Sequence, residues 1–489
     1  MEQNNTNIDL NVLEKQMIEN LKKLREMGVE PYKYNYTITH SIKELIEKKD
    51  DFVDKEAEVS IAGRMMSERA HGKVMFIDVK DEIEKIQVYV KKDIVGEQKY
   101  LAAKLFDIGD IVGVKGKLFM THSGELTIAA SDIDILSKAL KPLPEKFHGL
   151  KDVEMRYRKR YLDLISNDES KMVFRKRTEI ISKIRHFLSS HGYLEVETPI
   201  LQPIYGGAFA QPFVTHHNTH DMELFLRIAN ELYLKRLIVG GINRVFEFAK
   251  DFRNEGIDRT HNPEFTQVEF YQAYADYNDM MNLVEEIFET LVPEKKIVYG
   301  EKEIDFTRPW KRVDFFDSIK EKTGFDARGK STEELKEAAK RMNIELEGKK
   351  TYGKILDEIF SEKVQKDLMN PSFVINHPLE ISPLARKHRE IEGVVERFEP
   401  IIAGMEVGNS FSELNDPIDQ RERFMKQVEE RQQGDTEAFQ MDEDFIDSLM
   451  YGMPPTGGVG LGIDRIVMLL TNQHTIRDVV LFPLLKKEK

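Results

Sequence analysis

Residues 252–271 read Phe252-Arg253-Asn-Glu255-Gly-Ile-Asp-Arg-Thr-His261-Asn-Pro-Glu-Phe265-Thr-Gln-Val-Glu269-Phe-Tyr271. Two strand-like segments flank a turn-forming Gly-Ile-Asp-Arg-Thr-His-Asn-Pro, the pattern of a hairpin. Arg253 and Glu255 stand two apart, which on a strand places them on one face. Arginine suits a phosphoryl oxygen because its charge is permanent and its donors form a planar fork. Phe265, at the far end of the loop, offers a flat ring for a base to stack on. Taken alone, Arg-x-Glu in a hairpin reads as a surface ion pair, so the rest of the chain has to decide.

Two further segments bracket this one. His191-Gly192-Tyr-Leu-Glu-Val-Glu-Thr-Pro199 reads as a helix ended by Gly192, then a strand stopped by Pro199. Gly458-Val-Gly460-Leu-Gly462-Ile-Asp464-Arg465 runs into Ile-Val-Met-Leu-Leu. Alternating glycines leave one face of a strand bare, so that a flat ligand can lie on the backbone, and Arg465 then starts a helix near that face.

Composition narrows the classes. The chain has 489 residues, 40% of them hydrophobic and 32% charged, which predicts a soluble protein with real cores. With no cysteine, disulfides, thiol catalysis and Cys-ligated metals are excluded. The opening MEQNNTNIDL lacks the basic and apolar regions of a signal peptide, and no apolar run approaches the ~20 residues of a membrane span. The expected location is therefore cytoplasmic, with no membrane partner. The net charge of −14 argues at first sight against a nucleic-acid partner. It is unevenly spread, however. Residues 1–160 hold 28 basic and 28 acidic residues, so the excess lies wholly in 161–489, and Lys138–Arg160 is a basic stretch.

Periodicity predicts an N-terminal helical extension over 1–55, with an amphipathic helix at 9–28 carrying Leu10, Leu13, Met17, Leu21 and Leu24, and a second helix at Ser41–Lys49. Residues 56–140 break into five short strands with a helical QKYLAAKLFD between the third and fourth. That is the order of an OB-fold barrel, a frequent oligonucleotide binder. A basic linker at 141–170 leads to a domain at 171–489, opened by a helix at Phe174–Ser190 and carrying a helical insertion at about 310–370. Gly324-Phe-Asp-Ala-Arg-Gly329-Lys330-Ser331 matches a phosphate-binding loop letter for letter. An amphipathic helix precedes it instead of a buried strand, and Ser331 with Glu334 reads as a helix cap, so we assign helix–loop–helix. Thr215-His-His-Asn-Thr-His220 lacks helical metal-ligand spacing and reads as a polar loop.

Taken together, the three segments, in this order and behind an OB-fold, resemble the signature of class II aminoacyl-tRNA synthetases of the lysine/aspartate/asparagine subgroup. Gly206-Gly207-Ala208, Arg227-Ile-Ala-Asn-Glu231-Leu-Tyr-Leu-Lys-Arg-Leu, His261-Asn-Pro-Glu-Phe265 and Glu406-Val-Gly-Asn409-Ser-Phe411-Ser-Glu413 resemble its lysine-specific branch. The resemblance implies an α+β chain, an OB-fold barrel followed by a catalytic domain built on a mostly antiparallel sheet flanked by helices. It further implies a homodimeric ligase that joins L-lysine to ATP as lysyl-adenylate, with Mg²⁺, and passes lysine to the 3′-terminal ribose of tRNA(Lys).

By the same resemblance, Arg253 and Arg465 are catalytic. Arg253, Glu255, His261, Phe265, Glu406 and Arg465 bind ATP, and Glu399 and Glu406 hold Mg²⁺. Gly207, Glu231, Arg253, Glu269, Tyr271, Asn409, Phe411 and Glu413 bind lysine. Arg64, Phe76, Gln87 and Glu125 read the anticodon. An ε-ammonium on an apolar stem calls for a carboxylate at the far end of its pocket, which Glu413 supplies; an aspartate pocket would want a cation there. A lysylating relative with another acceptor would lack the barrel or carry membrane spans, and a non-enzymatic RNA binder would be expected to lack Arg253, Arg465 or the acidic pair.

Overall fold

The structure, a computed structural model, describes residues 11–144, 152–346, 351–432 and 438–487. It divides into two compact units, Met1–Asp168 and Glu169–Lys489. Among the described residues no helix is long and apolar enough to cross a membrane.

The first unit opens with the helix Val12–Glu26, whose N-terminus is closed by a reciprocal capping box between Asn11 and Glu14. Met17, Leu21 and Leu24 are buried while Leu13 is exposed, and Leu10 lies outside the described residues. The expected second helix is two, Ile42–Glu47 and Lys49–Asp54, the first capped by Ser41. Five strands then close a barrel: Glu58–His71, Val74–Lys80, Lys85–Lys91, Ile111–Met120 and Leu126–Ser137. Helices Lys92–Val95 and Glu97–Ala103 stand between the third and fourth strands. Alternation does the work here. Met75, Ile77, Val79, Ile86, Val88 and Val90 point into the barrel core, which leaves Phe76, Gln87 and Tyr89 on the outer face. The expected linker holds two short helices, Val153–Arg158 and Arg160–Ser166; residues 145–151 lie outside the described residues.

The second unit starts along the helix Asp168–Ser190, six residues longer at its N-terminus than the apolar pattern predicts. Its main sheet runs, in spatial order, Lys311–Asp314, Ser372–Ile375, Arg397–Ile402, Gly408–Ser412, Thr456–Gly462, Glu264–Ala273, Arg244–Phe252 and Leu194–Glu195, with Met405–Glu406 paired alongside Arg397–Ile402. Neighbours are antiparallel except at the two ends, where Lys311–Asp314 and Leu194–Glu195 pair in parallel. The helices Phe315–Thr323, Thr332–Arg341 and Tyr352–Lys363 connect the parallel pair at the first end, a connection that cannot be a tight hairpin.

The two sheet faces differ sharply. Phe246, Val268, Phe270, Val459 and Leu461 turn to one side and pack with Met281, Val284 and Phe288 of the helix Tyr277–Leu291. Each such side chain contributes roughly 1.5–3 kcal/mol by leaving water. The intervening positions, 265, 267, 269 and 271 on one strand and 458, 460 and 462 on the next, face the other way. One face is thus spent on the core and the other is left for chemistry.

Candidate active site

A cavity of about 370 Å³ lies on that second face, within the usual range for small-molecule sites. Every residue assigned above to ATP or lysine lines it; of the pair assigned to Mg²⁺, Glu406 does and Glu399 does not. The glycine strand forms its floor. Gly460 is flanked in register by Glu269 and Asn409, and Gly458 by Tyr271 and Phe411, so the walls come from the two neighbouring strands. A Cβ at Gly458 would collide with Glu413 Oε1 and the Tyr271 ring. At Gly207 the backbone has φ +89°, which favours glycine, and a Cβ would press on Ala229 and Glu231.

One end of the cavity is cationic and aromatic. Arg253 lies with its guanidinium carbon 4.9 Å from the centroid of the Phe265 ring. Arg465, in the first turn of the helix Ile463–Leu470, donates to the Glu406 carbonyl at 2.7 Å and stands 3.1 Å from His261 Nε2. His261 is held from its other nitrogen by Asp258 at 2.8 Å. Arg253 and Glu255 do share this cavity, but not by strand alternation as expected. The ladder stops at Phe252 opposite Glu264, and beyond it the backbone bends, with Arg253 N–H donating to Pro263 O and Glu255 N–H to Arg253 O. Asp251, at the last full rung but one, is wholly buried against Arg227 at 3.2 Å, and burial pushes its carboxyl up to about 7.

The other end is acidic and closed. Glu231, Glu269 and Glu413 are all buried. Burial raises all three carboxyls above the usual range, Glu269 and Glu413 well above it, and at those two the like charge of Glu231 adds to the effect. Tyr271 donates its hydroxyl to Glu269 Oε2 at 2.9 Å, and its phenol is raised by burial and by the same carboxylates. Glu413 is in ion-pair contact with Lys235, yet neither of its oxygens accepts a well-aligned hydrogen bond. A buried carboxylate with acceptor capacity to spare is what a cationic ligand needs. Asn409 receives Arg397 Nε at 2.9 Å on Oδ1.

Glu399 stands apart from the cavity wall. It is neither solvated nor exposed: Arg397 Nη2 donates to it at 2.6 Å, and burial, with help from nearby Glu406, pushes its carboxyl up to about 8. Sequence reasoning missed Arg397, which lines the cavity and bonds Asn409 and Glu399 together. The signal was present, since Arg397 and Glu399 share a face of one strand. It also missed Lys235, which in the sequence reads as one more lysine of an amphipathic turn. The phosphate-loop match is a helix–loop–helix, with Gly324 in the left-handed conformation and Ser331 and Glu334 capping each other. The histidine-rich stretch is the turn and one strand of a hairpin, Val214–His217 against Met222–Leu226, with His216 paired to Asp221 at 3.0 Å.

On the barrel, Phe76 and Gln87 share the outer face, and Gln87 donates to Glu125 at 2.7 Å. Tyr89 and Phe119, which the sequence reading passed over, continue the aromatic row: Phe76 to Tyr89 is 5.2 Å between centroids and Tyr89 to Phe119 is 6.1 Å. Arg64 lies further along its strand, opposite Lys80, and its guanidinium donates to Gly109 O at 2.6 Å.

The OB barrel, the mostly antiparallel sheet and a cavity floored by glycine between arginine-rich and acid-rich ends define a class II aminoacyl-tRNA synthetase. Residues 152–486 match the family model of tRNA synthetases class II (D, K and N), and residues 59–136 match that of the OB-fold nucleic acid binding domain. The chain belongs to this family, in its lysine branch: it is 51% identical to a lysine–tRNA ligase of Carboxydothermus hydrogenoformans over 98% of this chain and 99% of that one. It is 54% identical to the lysine–tRNA ligase of Aquifex aeolicus over 91% of this chain and 76% of that one. With the lysine–tRNA ligase of Bacillus subtilis it shares 50% identity over 96% of each chain.

Proposed function

We infer that the cavity activates L-lysine with ATP and transfers the lysyl group to the 3′-terminal ribose of tRNA(Lys). The observation that carries this reading is the polarity of the cavity, with buried carboxylates at one end and Arg253, His261 and Arg465 at the other. In the first step a carboxylate oxygen of lysine attacks the α-phosphorus, the bond to the β-phosphate oxygen breaks, and pyrophosphate leaves. The nucleophile is already ionised, so no general base is needed, and catalysis reduces to positioning and charge neutralisation. Arg253 holds the α-phosphate against the lysine carboxylate; Phe265 stacks on the adenine and Glu255 accepts from its amino group. His261 and Arg465 take the outer phosphates. Glu231 and the Gly207 backbone hold the α-amino group, Asn409 orients the carboxylate, Phe411 lines the stem, and Glu413 with Tyr271 and Glu269 receives the ε-ammonium. In the second step a ribose hydroxyl of the tRNA attacks the activated carbonyl and AMP leaves.

Mg²⁺ fits the pair Glu399 and Glu406, because Glu406 adds to the cost of ionising the buried Glu399, and a hard divalent cation suits two such carboxylates. Bound there, it supplies positive charge to the phosphate oxygens. We further propose that Phe76, Gln87, Glu125 and Arg64 read the anticodon, that the chain works as a homodimer, and that it acts in the cytoplasm. Arg253→Ala tests the core of the mechanism: ATP–pyrophosphate exchange should fall by about 10²-fold or more with the fold retained by circular dichroism. Near-normal exchange would show that Arg253 does not carry the phosphate.

A further inference from the structure

Lys235 lies one turn after Glu231 on the helix Glu231–Val239, and its side chain has no exposed surface. Its Nζ donates to Glu231 Oε1 at 2.5 Å and is paired with Glu413 as well. It stands 5.2 Å from the centroid of the Phe411 ring. Glu231, Phe411 and Glu413 line the cavity, whereas Lys235 is absent from its wall and so stands behind them.

We propose that Lys235 is a positioning residue for amino-acid selection: its buried ammonium bridges Glu231 and Glu413 from behind, opposes the cost of burying their charge and keeps both aimed into the cavity. The inference rests on reading the cavity as the lysine site. The other charged and titratable groups facing the bridge are Glu269 and Tyr271, on the strand Glu264–Ala273, and Arg397, whose charge favours the ionised form of Glu231. Burial works against every carboxylate here, and at Glu413 the like charge of Glu231 adds to it. Lys235 is the cation that opposes this for both. Burial alone would pull its ammonium down, but Glu231 and Glu413 outweigh that and hold it above the ordinary lysine value. A carboxylic acid offers no net charge to an ε-ammonium, so a pocket that lost this bridge would lose its preference for a cation. A plain structural pin would behave otherwise: removing it would cost stability and leave the lysine KM and its pH profile alone.

Lys235→Met keeps the apolar stem and removes the charge. In ATP–pyrophosphate exchange near pH 7, the lysine KM should rise about tenfold or more while the ATP KM stays within about twofold. The excess should shrink as pH is raised toward about 8.5, because carboxylates that lost their counter-charge ionise again. The wild-type enzyme is the reference: any rise in its lysine KM as pH falls should begin at a lower pH than in Lys235→Met, because the bridge opposes burial at both carboxylates. Lysine and ATP KM rising together in the variant, an unchanged lysine KM, an excess indifferent to pH, or a lysine KM that climbs from the same pH in both enzymes would each overturn the proposal. Wild-type exchange that depends on aspartate, or on no amino acid, would instead defeat the lysine reading itself.

Discussion

Gly458 shows how much of the specificity sits in atoms that are not there. It lies in register between Tyr271 and Phe411, beneath the Glu413 carboxylate. Its own conformation is ordinary extended backbone, so the need for glycine is one of space and not of φ. Adding a methyl forces Glu413 or the Tyr271 ring to move, and both belong to the pocket. We expect Gly458→Ala to raise the lysine KM about tenfold or more, for a packing strain of roughly 1–3 kcal/mol. An unaltered lysine KM would show that the floor yields and that the cavity is not shaped by this glycine. The sequence made the glycine row visible but not what it faces, since cross-strand partners such as Tyr271 and Phe411 are fixed by register.

The glycine strand, the hairpin of Arg244–Phe252 with Glu264–Ala273, and the barrel strands were legible because strict alternation leaves a period of two in the sequence. Where pattern and structure part, a tertiary contact decides. The helix Asp168–Ser190 begins before its apolar stripe, in a polar turn where periodicity gives no signal. Arg253 and Glu255 leave the ladder because Pro263 has no N–H to continue it. Lys235 was invisible because Leu-Tyr-Leu-Lys-Arg-Leu reads as one more amphipathic turn, in which lysine is ordinarily solvated; only the fold turns it inward between two glutamates. The helix Thr332–Arg341 supplies the converse case, a nucleotide motif in letters alone. Ser331 Oγ caps the Glu334 N–H at 3.3 Å, and Glu334 answers by accepting from Ser331 N at 2.8 Å. Ser331→Ala should therefore cost about 1 kcal/mol of stability in urea unfolding and leave the ATP KM unchanged. A raised ATP KM would mean that the loop binds phosphate after all.

Across the whole chain, the acidic total and a tRNA substrate are reconciled by where the charges lie. The excess of carboxylates belongs to residues 161–489, where the buried Glu231, Glu269 and Glu413 are proposed to receive a cationic amino acid, while residues 1–160 are balanced. On the proposed reading, the half-buried aromatic row on the barrel's outer face gives unpaired bases something to stack on, worth about 1–3 kcal/mol per base. Phe76→Ala should therefore raise the KM for tRNA in charging by about tenfold and leave ATP–pyrophosphate exchange untouched. Equal loss of both would assign Phe76 to folding instead. The account as a whole turns on the cavity choosing a cation. Its most direct test is ATP–pyrophosphate exchange by the full chain with each of the standard amino acids in turn. Exchange that depends on lysine, and is lost in Glu413→Gln, is the predicted result; exchange supported by aspartate or asparagine would contradict it.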